Sequence, residues 1–136
     1  MRCSTFAAGA AVLLQSVAAV AQPAPSANYT TIEVEPGKIS RIGIYAQGRK
    51  DCSPSKAPIV RVVEVPLAGI LTIRPGNIKA ATASSCPDLQ VPAQIVLYQG
   101  REGASSDHIL YSVTYPNGEI ALYDVAIRFK EVPKAN

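Results

Sequence analysis

The sequence is poor in the side chains that metal binding and acid–base catalysis use most. Its 136 residues include one His, one Met and no Trp, and charged residues make up 17% of the chain. A blue-copper site needs two His and a Cys, and general acid–base chemistry needs paired ionisable groups. We therefore expect no cofactor, no metal ion and no enzyme activity.

Long hydrophobic runs are missing from everything after Gln22. Before that point, Met1-Arg2, the apolar stretch Phe6–Val20 and the small residues Ala19-Val20-Ala21 have the three parts of a secretory signal peptide. We expect residues 1–21 to be a bacterial Sec-type signal peptide and the protein to be periplasmic or secreted. The mature chain then has no segment near the roughly 20 apolar residues of a membrane span.

Strong charge of one sign is also missing. Without Arg2 the chain has 12 basic and 10 acidic residues, and its longest run of like charge is Arg49-Lys50. A nucleic-acid partner requires a far more basic surface. The remaining length, about 115 residues, suits one domain, and we expect a flexible leader at 22–28 followed by a folded domain at 29–133.

Cysteines are few, and their number is informative. Cys3 precedes the apolar stretch and is removed with the signal peptide, so it is not a lipid attachment site. The mature chain then holds only Cys52 and Cys86, which in an exported protein predict one disulfide. Closing a loop of 34 positions would stabilise the fold by about 4 kcal/mol. We interpret the pair as structural, because a zinc site would need two further ligands.

The mature sequence has an all-β pattern. Pro and Gly recur between short β-branched runs, and no apolar period of 3.6 lasts three turns. We expect a seven-stranded antiparallel immunoglobulin-like β-sandwich, with a small barrel as the alternative closure. The predicted strands are Thr30–Glu35, Lys38–Ala46, Ile59–Val65, Ile70–Arg74, Gln94–Tyr98, His108–Tyr115 and Glu119–Lys130.

The last two strands give the clearest signal. Asn117-Gly118 separates two runs that alternate strictly, which is the strongest short-range indication of a β-hairpin. The residues expected to face the core are Ile109, Tyr111, Val113 and Tyr115 on one strand and Tyr123, Val125, Ile127 and Phe129 on the other.

The earlier strands are less distinct. Ile42 and Ile44 are expected to face inward on the second strand. Ile59–Val65 is a nearly continuous Val run, which fits a central strand covered on both sides or one whose inward face is undetermined. Leu67-Ala68-Gly69 predicts a hairpin between the third and fourth strands, and Pro75-Gly76-Asn77 is expected to end the fourth.

The C-terminal half contains an ordered series of motifs. They are Pro66-Leu67-Ala68-Gly69-Ile70-Leu71, Tyr98-Gln99-Gly100, Asp107-His108-Ile109-Leu110-Tyr111-Ser112-Val113, Asn117-Gly118 and Val125-Ala126-Ile127-Arg128-Phe129. In this order and spacing the chain resembles the bacterial immunoglobulin-like and cadherin-like repeat modules over roughly residues 66–130. It departs from them at Gly100, Gly103 and Ser105, and it lacks the acidic runs with which cadherins bind calcium.

Ser105-Ser106-Asp107-His108 has the residue types of a hydrolase triad but not their arrangement. Successive strand side chains point to opposite faces, so Asp107 and His108 diverge. We expect Asp107 to accept backbone N–H bonds as a loop cap, the role that the resemblance implies for the matching Asp. His108 is expected on the outer face, and no Asp or Glu has a spacing that would place it on the same strand face within metal-ligand reach of His108.

Two loops are candidate partner-binding surfaces, because loops on a rigid scaffold often carry binding residues. The first holds Arg49, Lys50 and Asp51 beside Cys52, and the second holds Arg101 and Glu102.

The first strand is a poor docking edge, because Glu33 and Glu35 point outward and protect it. The leading hypothesis is a non-enzymatic module that binds a protein or a component of the cell envelope. The alternative is a small-ligand-binding or enzyme-inhibitor protein, and a ligand pocket would be lined by the inward tyrosines.

Overall fold

The computed structural model describes residues 18–20, 26–79, 86 and 88–131. The expected signal peptide lies outside this range except for its residues 18–20. The described residues form seven strands, which are β1 Ala27–Val34, β2 Ile39–Ala46, β3 Ile59–Glu64, β4 Gly69–Lys79, β5 Gln90–Gly100, β6 Ser106–Thr114 and β7 Ile120–Phe129. This part of the chain contains no helix that is long and apolar enough to cross a membrane.

The strands form two sheets. One has the order β1-β7-β6-β3 and the other the order β2-β5-β4. All neighbours are antiparallel except β1 and β7, which run parallel with Ala27 beside Leu122 and Val34 beside Phe129. The expectation of a wholly antiparallel fold is therefore wrong. The turn at Gly37 carries the chain from one sheet to the other, so β1 pairs with β7 and not with its neighbour in sequence.

The core lies between the two sheets. Val96 and Tyr98 of β5 pack against β6 and β7 of the other sheet. The inward rows of the last hairpin are confirmed, because Ile109, Tyr111 and Val113 are fully buried and Val125 and Ile127 are almost so. Every second side chain of these strands is therefore apolar because one face of the sheet packs against the opposite sheet.

Tyrosines occupy the centre of this core. The Tyr45 ring lies 4.8 Å from that of Tyr123, whose ring is stacked 5.4 Å from that of Tyr111. The hydroxyls of Tyr45 and Tyr111 are 2.5 Å apart and share a hydrogen bond. Burial, and then the hydrogen bond with Tyr111, raise the pKa of the Tyr45 hydroxyl, so both groups stay neutral. The pair satisfies two polar groups that would otherwise be costly to bury.

The turn between β6 and β7 is the one that Asn117-Gly118 predicts. Gly118 has a φ of 89° and donates its N–H to the Tyr115 carbonyl at 2.9 Å, while the Tyr115 N–H donates to Glu119 O at 2.8 Å. This is a three-residue loop that ends on a left-handed glycine. The predicted hairpin is confirmed.

The inward face of β2 differs from the expected one. The pairing with β5 shifts between Arg41 and Gly43, which marks a β-bulge at Ile42. An extra residue changes the phase of every side chain after it. Ile42 packs against the core as expected, but Tyr45 is buried and Ile44 is partly exposed.

The expected hairpin between the third and fourth strands is wrong. β3 lies at the edge of the four-stranded sheet and pairs only with β6 among the described strands, whereas β4 pairs with β5 in the other sheet. Residues 65–68 therefore cross between the sheets instead of reversing within one. β3 is accordingly not a central strand covered on both sides.

Several strands are longer than expected, among them β5, which spans Gln90–Gly100 instead of Gln94–Tyr98. β4 continues through Pro75-Gly76-Asn77 to Lys79 and stays paired with β5 throughout. Because β4 is an edge strand, a proline without an N–H fits where that N–H would face solvent. β1 begins at Ala27, so the last two residues of the expected leader belong to the sheet.

Candidate functional site

The loop residues predicted to bind partners lie at opposite ends of the domain. Arg49, Lys50 and Asp51 follow β2, at the end where β3 and β5 begin. Arg101 and Glu102 follow β5, at the end where β6 begins. The structure therefore does not bring the two groups together into one site. We call these the disulfide end and the Asp107 end, respectively.

At the disulfide end the predicted Cys52–Cys86 bond is confirmed. The two Cα atoms are 5.6 Å apart, which is typical of a disulfide. The Asp51 carboxylate accepts bonds from the Ser53 N–H at 3.1 Å and the Ser53 hydroxyl at 2.6 Å. The hydroxyl bond is the main cause that lowers the pKa of Asp51. These contacts fold the loop locally next to the covalent bond.

A groove opens beside this loop, with a volume of about 350 Å³. It lies between the segment 47–50 and the β6–β7 turn, with Ser55 on one side. The side-chain oxygen of Gln47 accepts the Asn117 N–H at 3.1 Å, which joins the two walls. Arg49 and Lys50 line the groove and are exposed.

At the Asp107 end, a single carboxylate organises three segments. Asp107 accepts the backbone N–H groups of Leu67 and Ala68, each at 3.0 Å, and that of His108 at 2.9 Å. It also accepts the hydroxyl of Tyr98, at 2.7 Å. The residues in these four bonds come from the 65–68 crossing, β5 and β6. The predicted role of Asp107 as a cap for backbone N–H groups matches these contacts.

These contacts set the ionisation of the site. Burial acts to raise the pKa of Asp107, but the bonds from Tyr98 and from three backbone N–H groups together lower it. Burial, and then the bond to Asp107, raise the pKa of Tyr98. The pair is thus a carboxylate and a neutral phenol, and the phenol donates.

Arg101 supports the same end of the domain. Its backbone N–H donates to the Ala68 carbonyl at 2.8 Å, and its guanidinium donates to the Leu67 carbonyl. Glu102 is exposed next to Gly37. The structure thus gives Arg101 a defined intramolecular role in holding the 65–68 crossing, whereas Glu102 lies on the surface.

His108 lies on the outer face, where two acidic residues that spacing along the sequence did not reveal lie beside it. Its Nε2 is 2.6 Å from Asp124 Oδ1 on β7, and its Nδ1 is 3.1 Å from Glu64 Oε2 on β3. Spacing along one strand cannot show such partners, because they come from the strands on either side. The hydrogen bond that the His108 ring donates to Asp124 is the main cause that raises the pKa of His108.

This arrangement is a charged crosslink between three strands and not a catalytic triad. Both ring nitrogens face carboxylates, so neither is left to take a proton from a nucleophile. Within the described part of the chain, no group of three or more His, Cys, Asp or Glu side chains is arranged to hold a metal ion.

The feature that sequence reasoning missed is the β3 edge. Five large apolar residues are exposed along β3 and directly after it: Ile59, Val62, Val63, Val65 and Leu67. Val63 is 58% exposed, Val65 67% and Leu67 81%. The Val run was a visible signal, but it fitted a central strand covered on both sides as well as one whose inward face was undetermined. An edge strand with an apolar surface and unpaired backbone groups is a template for another strand.

A bulge shapes this edge. The pairing of β3 with β6 shifts between Val62 and Glu64, so Arg61 lies opposite Ser112 and Glu64 opposite Leu110. Ser112 and Leu110 alternate with the buried Tyr111, so both point to the outer face. Arg61 and Glu64 therefore share the outer face although they are three residues apart.

A second groove borders the end of this edge. It has a volume of about 640 Å³ and is lined by Val63, Val65 and Leu67 on one side and by Ser106 and His108 on the other. The apolar edge and the His108 crosslink thus adjoin each other on one surface.

No protein-family model matches the sequence. No curated protein matches it either. Among solved structures, the chain is similar to the solution structure of Amebosin, with a TM-score of 0.41 and 13% sequence identity over 76% of this chain and 96% of that chain. Similarity at this level says nothing about function.

Proposed function

We propose that the protein is an exported, non-enzymatic immunoglobulin-like module that binds another protein along the β3 edge. The observation that carries this proposal is the exposed apolar row on β3, whose outer edge has no partner strand among the described residues. A protein strand added there would gain backbone hydrogen bonds and cover the valines.

Strand order supports the immunoglobulin-like class. Lettered A to G in chain order, the strands form the sheets B–E–D and A–G–F–C. The immunoglobulin fold has the sheets A–B–E–D and C–F–G, so strands B to G lie in the expected sheets and strand A lies beside G instead of B. The disulfide supports export, because such bonds persist in oxidising compartments. The disulfide joins loops here, unlike the inter-sheet bond of antibody domains.

The test is site-specific photo-crosslinking in the cells that produce the protein. A photoreactive amino acid in place of Val63 on the β3 edge is expected to give a protein adduct. The matched control replaces Thr31, an exposed residue on the edge strand β1. Adducts from position 31 but not from 63, in variants with unchanged urea midpoints, would overturn the proposal.

One observation favours a second candidate function, an enzyme inhibitor that presents the loop around Arg49. That loop is pinned by the disulfide and flanks the groove between 47–50 and the β6–β7 turn. The same experiment separates the two candidates, because an inhibitor would crosslink from Ser55 and not from Val63. A pocket among the inward tyrosines has no such support, since Tyr98 and Tyr111 are fully buried against their neighbours.

A further inference from the structure

We propose that the strand that occupies the β3 edge is β3 of a second copy of this chain, paired antiparallel about a two-fold axis. The inference rests on the proposed function of the β3 edge and names its partner. It follows from the order of the charged residues and valines in β3. When two copies of this strand pair antiparallel, opposite charges face each other and valines face valines.

The complementarity is visible in the order of the residues. β3 and the residue after it are Ile59, Val60, Arg61, Val62, Val63, Glu64 and Val65. In the antiparallel register that places Arg61 opposite Glu64 of the second copy, Val62 lies opposite Val63 and Val60 opposite Val65. Two-fold symmetry repeats every pair, so the interface contains two opposite-charge pairs and four valine pairs.

The bulge makes this register feasible. Residues opposite each other in an antiparallel pair point to the same face of the sheet. In a regular strand, Arg61 and Glu64 would point to opposite faces and could not be paired with each other by symmetry. The bulge places both on the outer face, so each can meet its counterpart there.

The charged side chains around β3 leave room for these pairs. Glu64 contacts His108 through Oε2, and its side chain is 58% exposed. Arg61 is exposed on the same face. In the dimer, each Glu64 would lie between His108 of its own chain and Arg61 of the other, so one carboxylate would be shared by two cations. The His108 crosslink thereby fixes the carboxylate that the second copy meets.

The interface is small. β3 has six residues, so the buried area lies at the low end of specific interfaces, and we expect a Kd in the micromolar range, about 10–100 µM. Association should weaken with added salt, because the charged pairs lie on the outer face and are exposed.

The test is sedimentation equilibrium of the purified chain across that concentration range, with charge reversal at the two positions. Arg61→Glu places Glu opposite Glu64, and Glu64→Arg places Arg opposite Arg61, so each single variant is expected to associate about tenfold more weakly. An equimolar mixture of the two variants restores both opposite-charge pairs and should recover wild-type association. The double variant should do the same by itself.

The matched control is Arg41→Glu on the edge strand β2, which should leave association unchanged. Recovery in the mixture separates this register from a loss of folding, since misfolded variants would not rescue each other. A wild-type chain that stays monomeric at 1 mM, or reversed variants that fail to rescue each other, would overturn the dimer. If crosslinks from Val63 nevertheless reach a different protein, the proposed function stands and only its partner changes.

Discussion

The two ends of the domain hold their loops by different chemistry. At the disulfide end, a covalent bond between Cys52 and Cys86 fixes the loop after β2. At the Asp107 end, one carboxylate takes four hydrogen bonds from segments of both sheets, and Arg101 adds two more. The covalent bond responds to reductant and the carboxylate to acid, so each end can be loosened while the other is held.

The largest expected effect comes from removing the disulfide. The double variant Cys52→Ala/Cys86→Ala should lose about 4 kcal/mol of unfolding free energy, because the 34-residue separation no longer restricts the unfolded chain. Guanidinium titration measures the loss. Hydrogen exchange should show faster exchange at 47–57 and little change at Leu67 and Ala68. Equal loosening of both ends would contradict the comparison.

Asp107→Asn should have the next largest effect, about 2–3 kcal/mol, since the backbone N–H groups of Leu67 and Ala68 lose a charged acceptor. Urea titration measures it, and faster exchange should now appear at the 65–68 crossing. Asp51→Asn is the matched control, because Asp51 bonds only within its own loop among the contacts described.

The same carboxylate predicts an acid dependence with a definite sign. The pKa of Asp107 in the folded state lies below its ordinary value of 3.8. Its contribution to stability is therefore present above pH 3.8 and is lost as the pH falls through the folded-state pKa. Between pH 5 and pH 2, the wild type should lose more stability than Asp107→Asn. Parallel pH curves for the two proteins would contradict this role.

Two tyrosine substitutions compare the Asp107 end with the centre of the core. Tyr98→Phe removes a bond to a carboxylate, whereas Tyr45→Phe removes a bond between two neutral hydroxyls. Bonds to charged groups are about twice as strong, so we expect losses of about 2 and about 1 kcal/mol, respectively. Thermal unfolding of the two variants in one buffer gives the order. A larger loss of stability for Tyr45→Phe than for Tyr98→Phe would contradict this order.

The smallest effect is expected at His108. Its pKa in the folded state is raised above 6.5, so its stabilising contribution is complete below pH 6.5 and is lost as the pH rises through the raised value. The side chain is 46% exposed, which limits the contribution to under about 1 kcal/mol. His108→Gln should therefore make the free energy of unfolding depend less on pH above 6.5. The decrease in stability at acid pH should be unchanged.

The sequence predicted local features well. The alternation of Ile109, Tyr111 and Val113 and the turn at Asn117-Gly118 fix β6, β7 and their hairpin, because side-chain alternation and turn geometry depend on neighbouring residues. The Cys52–Cys86 bond was predictable once Cys3 had been assigned to the signal peptide. Asp107 was assigned as a cap, although its acceptance of the Tyr98 hydroxyl was not foreseen.

Pairing between strands that are distant in the sequence was harder to predict. The Val run at Ile59–Val65 suits a buried strand as well as an edge strand, and only the crossing at 65–68 decides between them. The partners of His108 come from β3 and β7, so they follow from register and not from spacing. The bulge at Ile42 likewise buried Tyr45 in place of Ile44, since one unpaired residue changes which side chains face inward.

Gly100 illustrates a departure from the repeat-module pattern that the structure explains. A Cβ atom at this position would overlap the ring of Phe129. The aromatic ring of β7 thus occupies the space that a larger residue on β5 would need, and Phe129 packs against Tyr98 with ring centroids 6.3 Å apart. Closure of the two sheets at this end depends on that glycine.

The parallel pairing of β1 and β7 also determines how the domain bears a mechanical load. β1 begins at the same end where β7 begins, so Ala27 and Phe129 lie at opposite ends of the pair. Tension applied between these residues pulls the two strands past each other along their length. Their hydrogen bonds then bear the force together, in shear, whereas tension across a hairpin would break them one at a time. A domain tethered at both points should yield abruptly at high force rather than gradually.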